Sequence, residues 1–465
     1  MVSQDFARGY GLAEDKNVTP LIVATENLTG AIKNSRAALL IFALNAISAL
    51  LFMGLVNRPV YDDPYNITDV HAYATKGFSR ATLLAQANPP GPTSFVWMAE
   101  AVRLLKGEEL RDARIGALLS WVLLTAGVFF LARYGNFPEV WYGALLVVLV
   151  FPHTVEASAT VLTEGPSLLF AMLGAMAWVQ FASRSDVTPL GLALGVAGGL
   201  SMGIAVTCRQ YNLALLPAAA VFALYQFLRR GPASAGSVIW LVSAILTLVF
   251  AAAPVFLLAL VWKGLSSPGM ASGTSYSNWQ AGVGLNISRP MVVAFYMAVY
   301  LVPLTFPAML VARRVRSRGV VLAALMSAAV AGFYSSALLT PGPLRTVILT
   351  LARGEVMQHV AVGVVGFIAV YNIWALGELI WEQRSLIEAS APLVFALLAI
   401  IFFICEQFGV GGNIPFYDRY VLNIAPFLGL LAFSVLPRLT YPRLLALAVM
   451  SFAGQVILWR YAFGK

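Results

Sequence analysis

Charge is what this sequence lacks. Asp, Glu, Lys and Arg make up 11% of its 465 residues, against roughly 25% in a soluble domain, so it cannot build an ordinary water-facing surface. Cysteine is nearly absent: Cys208 and Cys405 stand alone, which excludes a disulfide framework and a cysteine-based metal site and leaves both as helix-packing residues. Three histidines show no HExxH or other metal-ligand spacing, so no zinc site is expected; no cofactor is expected either, although the acid pair Asp62 and Asp63 could ligate a divalent ion. There is no Walker loop and no GxGxxG after a strand, which disfavours an ATP-driven pump. No nucleic-acid-binding module is visible either, so nucleic acid is not an expected partner.

What is present is apolar. Hydrophobic residues are 60% of the chain, and the runs 37–56, 113–133, 137–152, 159–182, 190–207, 211–228, 236–262, 291–312, 319–340, 360–381, 391–408, 419–437 and 441–460 each approach the roughly 20 residues a helix needs to cross a bilayer. The expected fold class is an all-α polytopic membrane protein of about thirteen spans. Residues 1–36 are mixed polar and read as a cytoplasmic N-terminal segment, with residues 37–465 a single transmembrane domain and 37–56 a retained first span rather than a signal peptide. Lipids are its first partners.

The net charge of +9 sits in short clusters between apolar runs, as loop charges that orient a membrane protein do. Lys33 with Arg36, Arg133, Arg184, Arg229 with Arg230, RRVRSR at 313–318, Arg384, and Arg438 with Arg443 all fall on the cytoplasmic side if spans alternate and the stretch 92–106 does not cross. That stretch, PTSFVWMAEAVRLLK, is short and carries Glu100 and Arg103, which suits an amphipathic helix in the interface. Residues 57–111 then form one large non-cytoplasmic loop with short helices. The other non-cytoplasmic segments are 153–158, 208–210, 263–290, 341–359 and 409–418.

The first loop is polar and acid-rich. Asp62 and Asp63, then Asp69 and His71, stand just outside the first span, where a carboxylate could take a proton from an attacking sugar hydroxyl. The plainer alternative is that the acid pair only starts a helix before Pro64. Glu164 lies where a span begins, and Arg209 with Gln210 interrupts an apolar stretch; ionisable groups at membrane depth usually face a cavity or a partner. Arg209 could hold a phosphate through its planar fork, or it could simply pair with Glu164. Arg419 has the same choice, with Asp418 as its near neighbour.

Together these segments resemble the GT-C superfamily of membrane glycosyltransferases: an acid pair directly after the first span, NPPGP at 88–92, TEGPSLLF at 163–170, CRQYNLALLP at 208–217 and DRYVLNIAPF at 418–427. Within it the chain is most similar to the α-1,2-glucosyltransferases that use dolichyl-phosphate glucose. Tyr61-Asp62-Asp63 matches their tyrosine and acid pair, Pro89-Pro90-Gly91 their proline pair before glycine, and Arg209-Gln210-Tyr211-Asn212 their Arg-Gln-x-Asn motif. Their late acidic-Asn-Arg-His-Tyr motif is present only as Asp418-Arg419-Tyr420. Asp63 replaces a glutamate, and Asn66 a histidine.

The resemblance implies an inverting transfer of one sugar, glucose favoured, from a polyprenyl-phosphate donor to a glycan or glycolipid acceptor on the non-cytoplasmic face. Asp62 and Asp63 would be catalytic, with Asp62 the base. Tyr61, Asp69, His71, Asn88, Pro89, Pro90, Glu164, Arg209, Gln210, Asn212, Asp418, Arg419 and Tyr420 would bind substrate. Arg103, Lys106, Arg111 and Arg114 lie on the outer side against the positive-inside trend, and a lipid phosphate would explain them. A secondary transporter or lipid flippase would also account for helices with buried charge, though no internal repeat is evident. A non-catalytic scaffold would not depend on Asp62, Asp63 or Arg209.

Overall fold

The structure, a computed structural model of the chain, describes residues 20–88, 91–135, 137–184, 186–231, 235–264, 267–269, 288–311, 318–339, 343–409, 418–435 and 441–463. In chain order the helices are α1 (Pro20–Leu55), α2 (Asp63–Lys76), α3 (Arg80–Ala85), α4 (Pro92–Leu105), α5 (Glu109–Tyr134), α6 (Pro138–Val150), α7 (Thr154–Ala159), α8 (Glu164–Ala182) and α9 (Pro189–Cys208). A 3₁₀ turn over Gln210–Ala214 leads into α10 (Leu215–Arg230), followed by α11 (Ala235–Trp262), α12 (Ser288–Val311), α13 (Arg318–Phe333), α14 (Ser335–Leu338), α15 (Pro343–Leu351) and α16 (Glu355–Glu382). The remainder is α17 (Arg384–Ala389), α18 (Ala391–Gly409), a second 3₁₀ turn over Asp418–Asn423, α19 (Ala425–Val435) and α20 (Tyr441–Phe463). This is an all-α polytopic membrane protein.

Nine helices among the described residues are long and apolar enough to cross, and three shorter apolar ones accompany them. The expected thirteen spans are not all present in that form. Run 419–437 divides into a 3₁₀ turn and the 11-residue α19, about 17 Å long and too short for a bilayer core of roughly 30 Å. The short run 137–152 becomes α6, whose residues from Gly143 onward are all buried. It packs against Gly429 of α19 through Ala144 and Val147. Both short helices can be apolar on all sides because protein, not lipid, surrounds them. The first helix also differs from expectation: it begins at Pro20, with its apolar span at Lys33–Leu55, because the polar segment before Ala37 continues the same helix.

At the centre is α8, which is buried over almost its whole length. Glycines let α9 approach it and α11: a Cβ on Gly198 would meet the Trp178 nitrogen at 2.5 Å, and one on Gly199 or Gly203 would meet the Thr247 or Ala251 carbonyl at 2.3 or 2.2 Å. Small residues four apart give this close backbone contact in lipid, where no hydrophobic force drives helices together. Interhelical hydrogen bonds supplement it: Trp178 Nε1 donates to Thr247 Oγ1 (2.9 Å) and Asn45 Nδ2 to the Leu149 carbonyl (2.8 Å).

The two ends of α8 differ in chemistry. At its C-terminal end, Arg230 donates to the Ala182 and Arg184 carbonyls (2.9 and 2.5 Å) and Arg229 to the Glu388 carbonyl (2.6 Å), so basic residues assigned to three separate loops share one end of the bundle. The first loop lies at the other end, where Arg114 of α5 donates to the Val56 and Arg58 carbonyls beyond α1 (2.5 and 2.9 Å). The stretch 92–106 forms α4, 14 residues and about 21 Å long. It packs along α5, with Trp97 Nε1 donating to the Gly116 carbonyl (2.8 Å). A cysteine at Glu108, in the exposed turn before α5, should therefore be labelled by an impermeant maleimide only from the side opposite to one at Gly231, after α10. Labelling of both from one side would overturn this arrangement.

Candidate active site

Three breaks in helical structure converge at the first-loop end of the bundle. At each, backbone groups that leave the helical pattern must find partners inside the protein. Between α7 and α8, Val161 has its N–H bonded to Asp63 Oδ1 (2.6 Å) and its carbonyl to Asn66 Nδ2 (2.6 Å). Asp63 and Asn66 lie three residues apart on α2, on one helix face, so that face grips the break from both sides. After α9, the extended Arg209 is braced by Asn212, whose Nδ2 bonds the Ala205 and Arg209 carbonyls (3.0 and 3.2 Å) and Ser167 Oγ (2.7 Å). The third break is the 3₁₀ turn Asp418–Asn423.

These breaks hold the charges. Glu164 is the first residue of α8 and Arg209 the C-cap of α9, each at the helix end whose dipole favours its sign. They form a buried ion pair, Arg209 Nη2 with Glu164 Oε1. Arg419 brings a second guanidinium to the same oxygen, its Nε 3.5 Å away, while its Nη2 binds Asp62 Oδ2 at 2.6 Å. Both guanidiniums lie over Tyr420, 5.2 and 5.5 Å from the ring centre, and Arg419 lies over Tyr61 at 4.7 Å. Arg419 and Glu164 are buried, whereas the Asp62 side chain keeps 32% of its surface exposed. The result is a carboxylate at the mouth of a site backed by two buried cations.

The adjacent acids have different surroundings. Asp62 occupies the N-cap of α2 but makes no capping bond with its side chain; its carboxylate goes to Arg419 instead. Asp63 is fully buried, its second oxygen bound by Arg114 Nη2 (2.5 Å) and by the Val60 N–H (3.1 Å). The Asp63 N–H in turn bonds the Val60 carbonyl at 3.0 Å, closing a turn at whose corners sit Tyr61 and Asp62. Tyr61 has φ of +56°, a conformation costing a bulky residue about 1–2 kcal/mol. Asp63 thus shapes the turn that displays Asp62, and the two acids do not form a matched pair.

Asp69 shapes the rest of the loop, accepting bonds from the Ala87 and Asn88 N–H groups (both 3.0 Å) and from Asn88 Nδ2 (2.7 Å). Burial pushes its carboxyl above the usual value against those three bonds. Gly91 lies where a Cβ would meet the Thr207 carbonyl at 1.9 Å, and its N–H bonds the Cys208 carbonyl at 3.0 Å. Only glycine permits this approach, which docks Gly91 against the residues just before Arg209. Pro89 and Pro90 lie outside the described residues, as does the Asp418 side chain.

Several expected residues are not gathered into the cluster. His71 is exposed on α2 and pairs with Glu109 (2.8 Å). Arg103 pairs with Glu100 (2.8 Å) on an exposed face, and Lys106 ends α4 in the left-handed conformation. Both lie at the end of α4 away from Gly91. Arg114 is buried on Asp63, so its place against the positive-inside trend needs no lipid phosphate. Conversely, His153 and Glu156 form a buried pair (2.9 Å) and Tyr461 donates to Glu156 (2.8 Å). Burial opposes the Glu156 charge, but the bonds from His153 and Tyr461 and the Arg419 charge hold it below the ordinary glutamate value. Buried Arg289 donates to Gln407 Oε1 (3.0 Å) and the Tyr211 hydroxyl (3.1 Å), and the Tyr211 ring packs on Tyr420 at 4.8 Å. The i, i+3 spacing in HTVE was the one available signal for the first group, and an arginine opening an apolar run that for the second.

No family model matches this sequence, and no curated protein matches it. Among solved structures it is similar to ArnT from Cupriavidus metallidurans bound to undecaprenyl phosphate, with a TM-score of 0.44 at 13% identity over 92% of this chain and 77% of that one. The apo state of that protein gives 0.41 at 15% identity over 91% and 76%. The Archaeoglobus fulgidus oligosaccharyltransferase in complex with zinc and sulfate gives 0.31 at 12% identity, over 80% of this chain and 53% of that one.

Removing one partner from a buried ion pair typically costs about 3–5 kcal/mol. Arg114→Leu, which strands Asp63, should therefore lower the unfolding midpoint in detergent by several degrees, and Asp62→Ala should lower it much less. Equal midpoints for Arg114→Leu and the parent would remove Asp63 from its scaffold role.

Proposed function

We propose that this chain is a membrane glycosyltransferase of the GT-C type, which moves one sugar from a polyprenyl-phosphate donor to a lipid-linked or cell-envelope glycan on the non-cytoplasmic face. The observation that carries this reading is the partly exposed Asp62 carboxylate held 2.6 Å from Arg419, which with Arg209 shares the buried Glu164. A base open to an acceptor and cations suited to a leaving anion stand side by side. Glucose is the favoured sugar, on the likeness of Tyr61-Asp62-Asp63 and Arg209-Gln210-Tyr211-Asn212 to the glucosyltransferase motifs.

The acceptor hydroxyl oxygen attacks the anomeric carbon on the face opposite the phosphate. Asp62 takes the hydroxyl proton, and the bond from carbon to phosphate oxygen breaks with its electron pair leaving on the phosphate. A phosphate ester anion is stable at neutral pH and needs no acid; it needs positive charge beside it. Arg209 and Arg419 supply that charge. In the resting site their charges are balanced by Glu164 and Asp62, so the cations are held in place without an isolated buried charge.

Purified protein incubated with short-chain polyprenyl-phosphate glucose, mannose and arabinose should release polyprenyl phosphate from one of them in the presence of acceptor. Release from none of the three would overturn the reading. Asp62→Asn removes the base with little change of shape, so single-turnover transfer should fall by about 10²–10⁴ while donor binding persists. Near-normal turnover would remove Asp62 as the base. Arg209→Lys keeps the charge but loses the planar fork, and most of the activity should go with it; unchanged transfer would reduce Arg209 to a structural partner of Glu164.

A further inference from the structure

Tyr461 belongs to α20 and has no part in the chemistry above, yet it touches the Val60–Asp63 turn and its supports at several points. Its ring lies 5.7 Å from the ring of Tyr61, and its carbonyl accepts from Arg58 Nη2 at 3.2 Å, three residues before Tyr61. The phenol donates to Glu156 Oε1 at 2.8 Å and accepts from Arg460 Nη2 at 2.7 Å. Glu156 is itself buried, its other oxygen bound to His153 Nδ1 at 2.9 Å. A chain of contacts therefore runs from His153 through Glu156 and Tyr461 to Tyr61.

We infer that Tyr461 is a positioning residue, whose ring and hydroxyl hold Tyr61 in the left-handed conformation that presents the Asp62 carboxylate. A bulky residue persists at φ of +56° only where its surroundings over-determine it. Asp63 closes the turn through the backbone, but the Tyr61 side chain has to be held as well: besides its packing on the core, Arg419 lies over its ring at 4.7 Å and Tyr461 stands against it. Arg419 also binds Asp62 and faces the site. Tyr461 is anchored on Glu156 and Arg460 and not on Asp62, so it can keep the turn in place while Arg419 exchanges partners. Without it the turn can relax to negative φ, and the carboxylate one residue further on swings with it.

The activity arm of the test rests on the glycosyltransferase reading; the labelling arm does not. Pro59 is exposed two residues before Tyr61. In a Cys405→Ser background, Pro59→Cys reports the mobility of the turn through its rate of maleimide labelling, with Gly231→Cys at the far end of the bundle as the control for general loosening. Tyr461→Ala should raise the rate at position 59 several-fold and leave position 231 unchanged; Tyr461→Phe, which keeps the ring, should raise it less. Where Tyr461→Ala does not fold, Tyr461→Leu carries the same expectation. For transfer, Tyr461→Ala should lower kcat roughly 10- to 100-fold with KM for the donor within about twofold, and Tyr461→Phe should restore most of it. An unchanged rate at position 59, or an equal rise at 231, overturns the positioning role. A rise confined to position 59 in a protein whose parent shows no transfer supports that role and overturns the glycosyltransferase reading instead.

Discussion

Lipid offers a polypeptide no hydrogen bonds, and the site depends on how this chain meets that constraint. Wherever a helix stops inside the bundle, its carbonyl and N–H groups must be answered by other parts of the protein. At the three breaks around Val161, Arg209 and Arg419 the structure departs from the helical pattern close to one end. The Val161 and Arg209 breaks are closed by particular side chains: Asp63 and Asn66 at one, Asn212 at the other. Breaks of this kind place charged side chains where a continuous helix would pack them against apolar neighbours, and Glu164, Arg209 and Arg419 all occupy such positions.

The same constraint explains why two neighbouring aspartates have separate tasks. A buried carboxylate is tolerable only when paired and hydrogen-bonded. Asp63 meets that condition fully, with Arg114 and two backbone N–H groups, and so becomes part of the scaffold. Asp62, one residue earlier, lies at the mouth and needs only Arg419. Consecutive residues on a turn cannot point the same way, so burying one acid leaves the other facing outward.

Much of this was legible beforehand. The apolar runs located most of the crossing helices, because lipid imposes length and composition directly. Glu164, Arg209 and Arg419 stood out as ionisable groups in or beside apolar runs, and the acid pair by its place in a polar loop directly after the first span. Arg103, Lys106 and Arg114 were grouped with them by proximity in the chain and by an apparent conflict with the charge rule; α4 carries the first two away from Gly91, and the third is buried on Asp63. Glu156, Arg289 and Tyr461 escaped notice, and His153 was weighed only as a metal ligand, because α7, α12 and α20 bring them to the site from separate parts of the chain.

By itself, the sequence determined that the chain lives in lipid, where most of its spans begin and end, and which ionisable residues stand at membrane depth, since each follows from transfer free energy read along one dimension. Tertiary structure decided that Arg419 pairs with Asp62 across 357 positions and not with its neighbour in the chain, that Glu164 is shared between two guanidiniums, and that Asn66 and Asn212 brace the backbone. Those pairings depend on which helix ends meet, and helix ends meet through packing of small and apolar faces that carry no record of their partners.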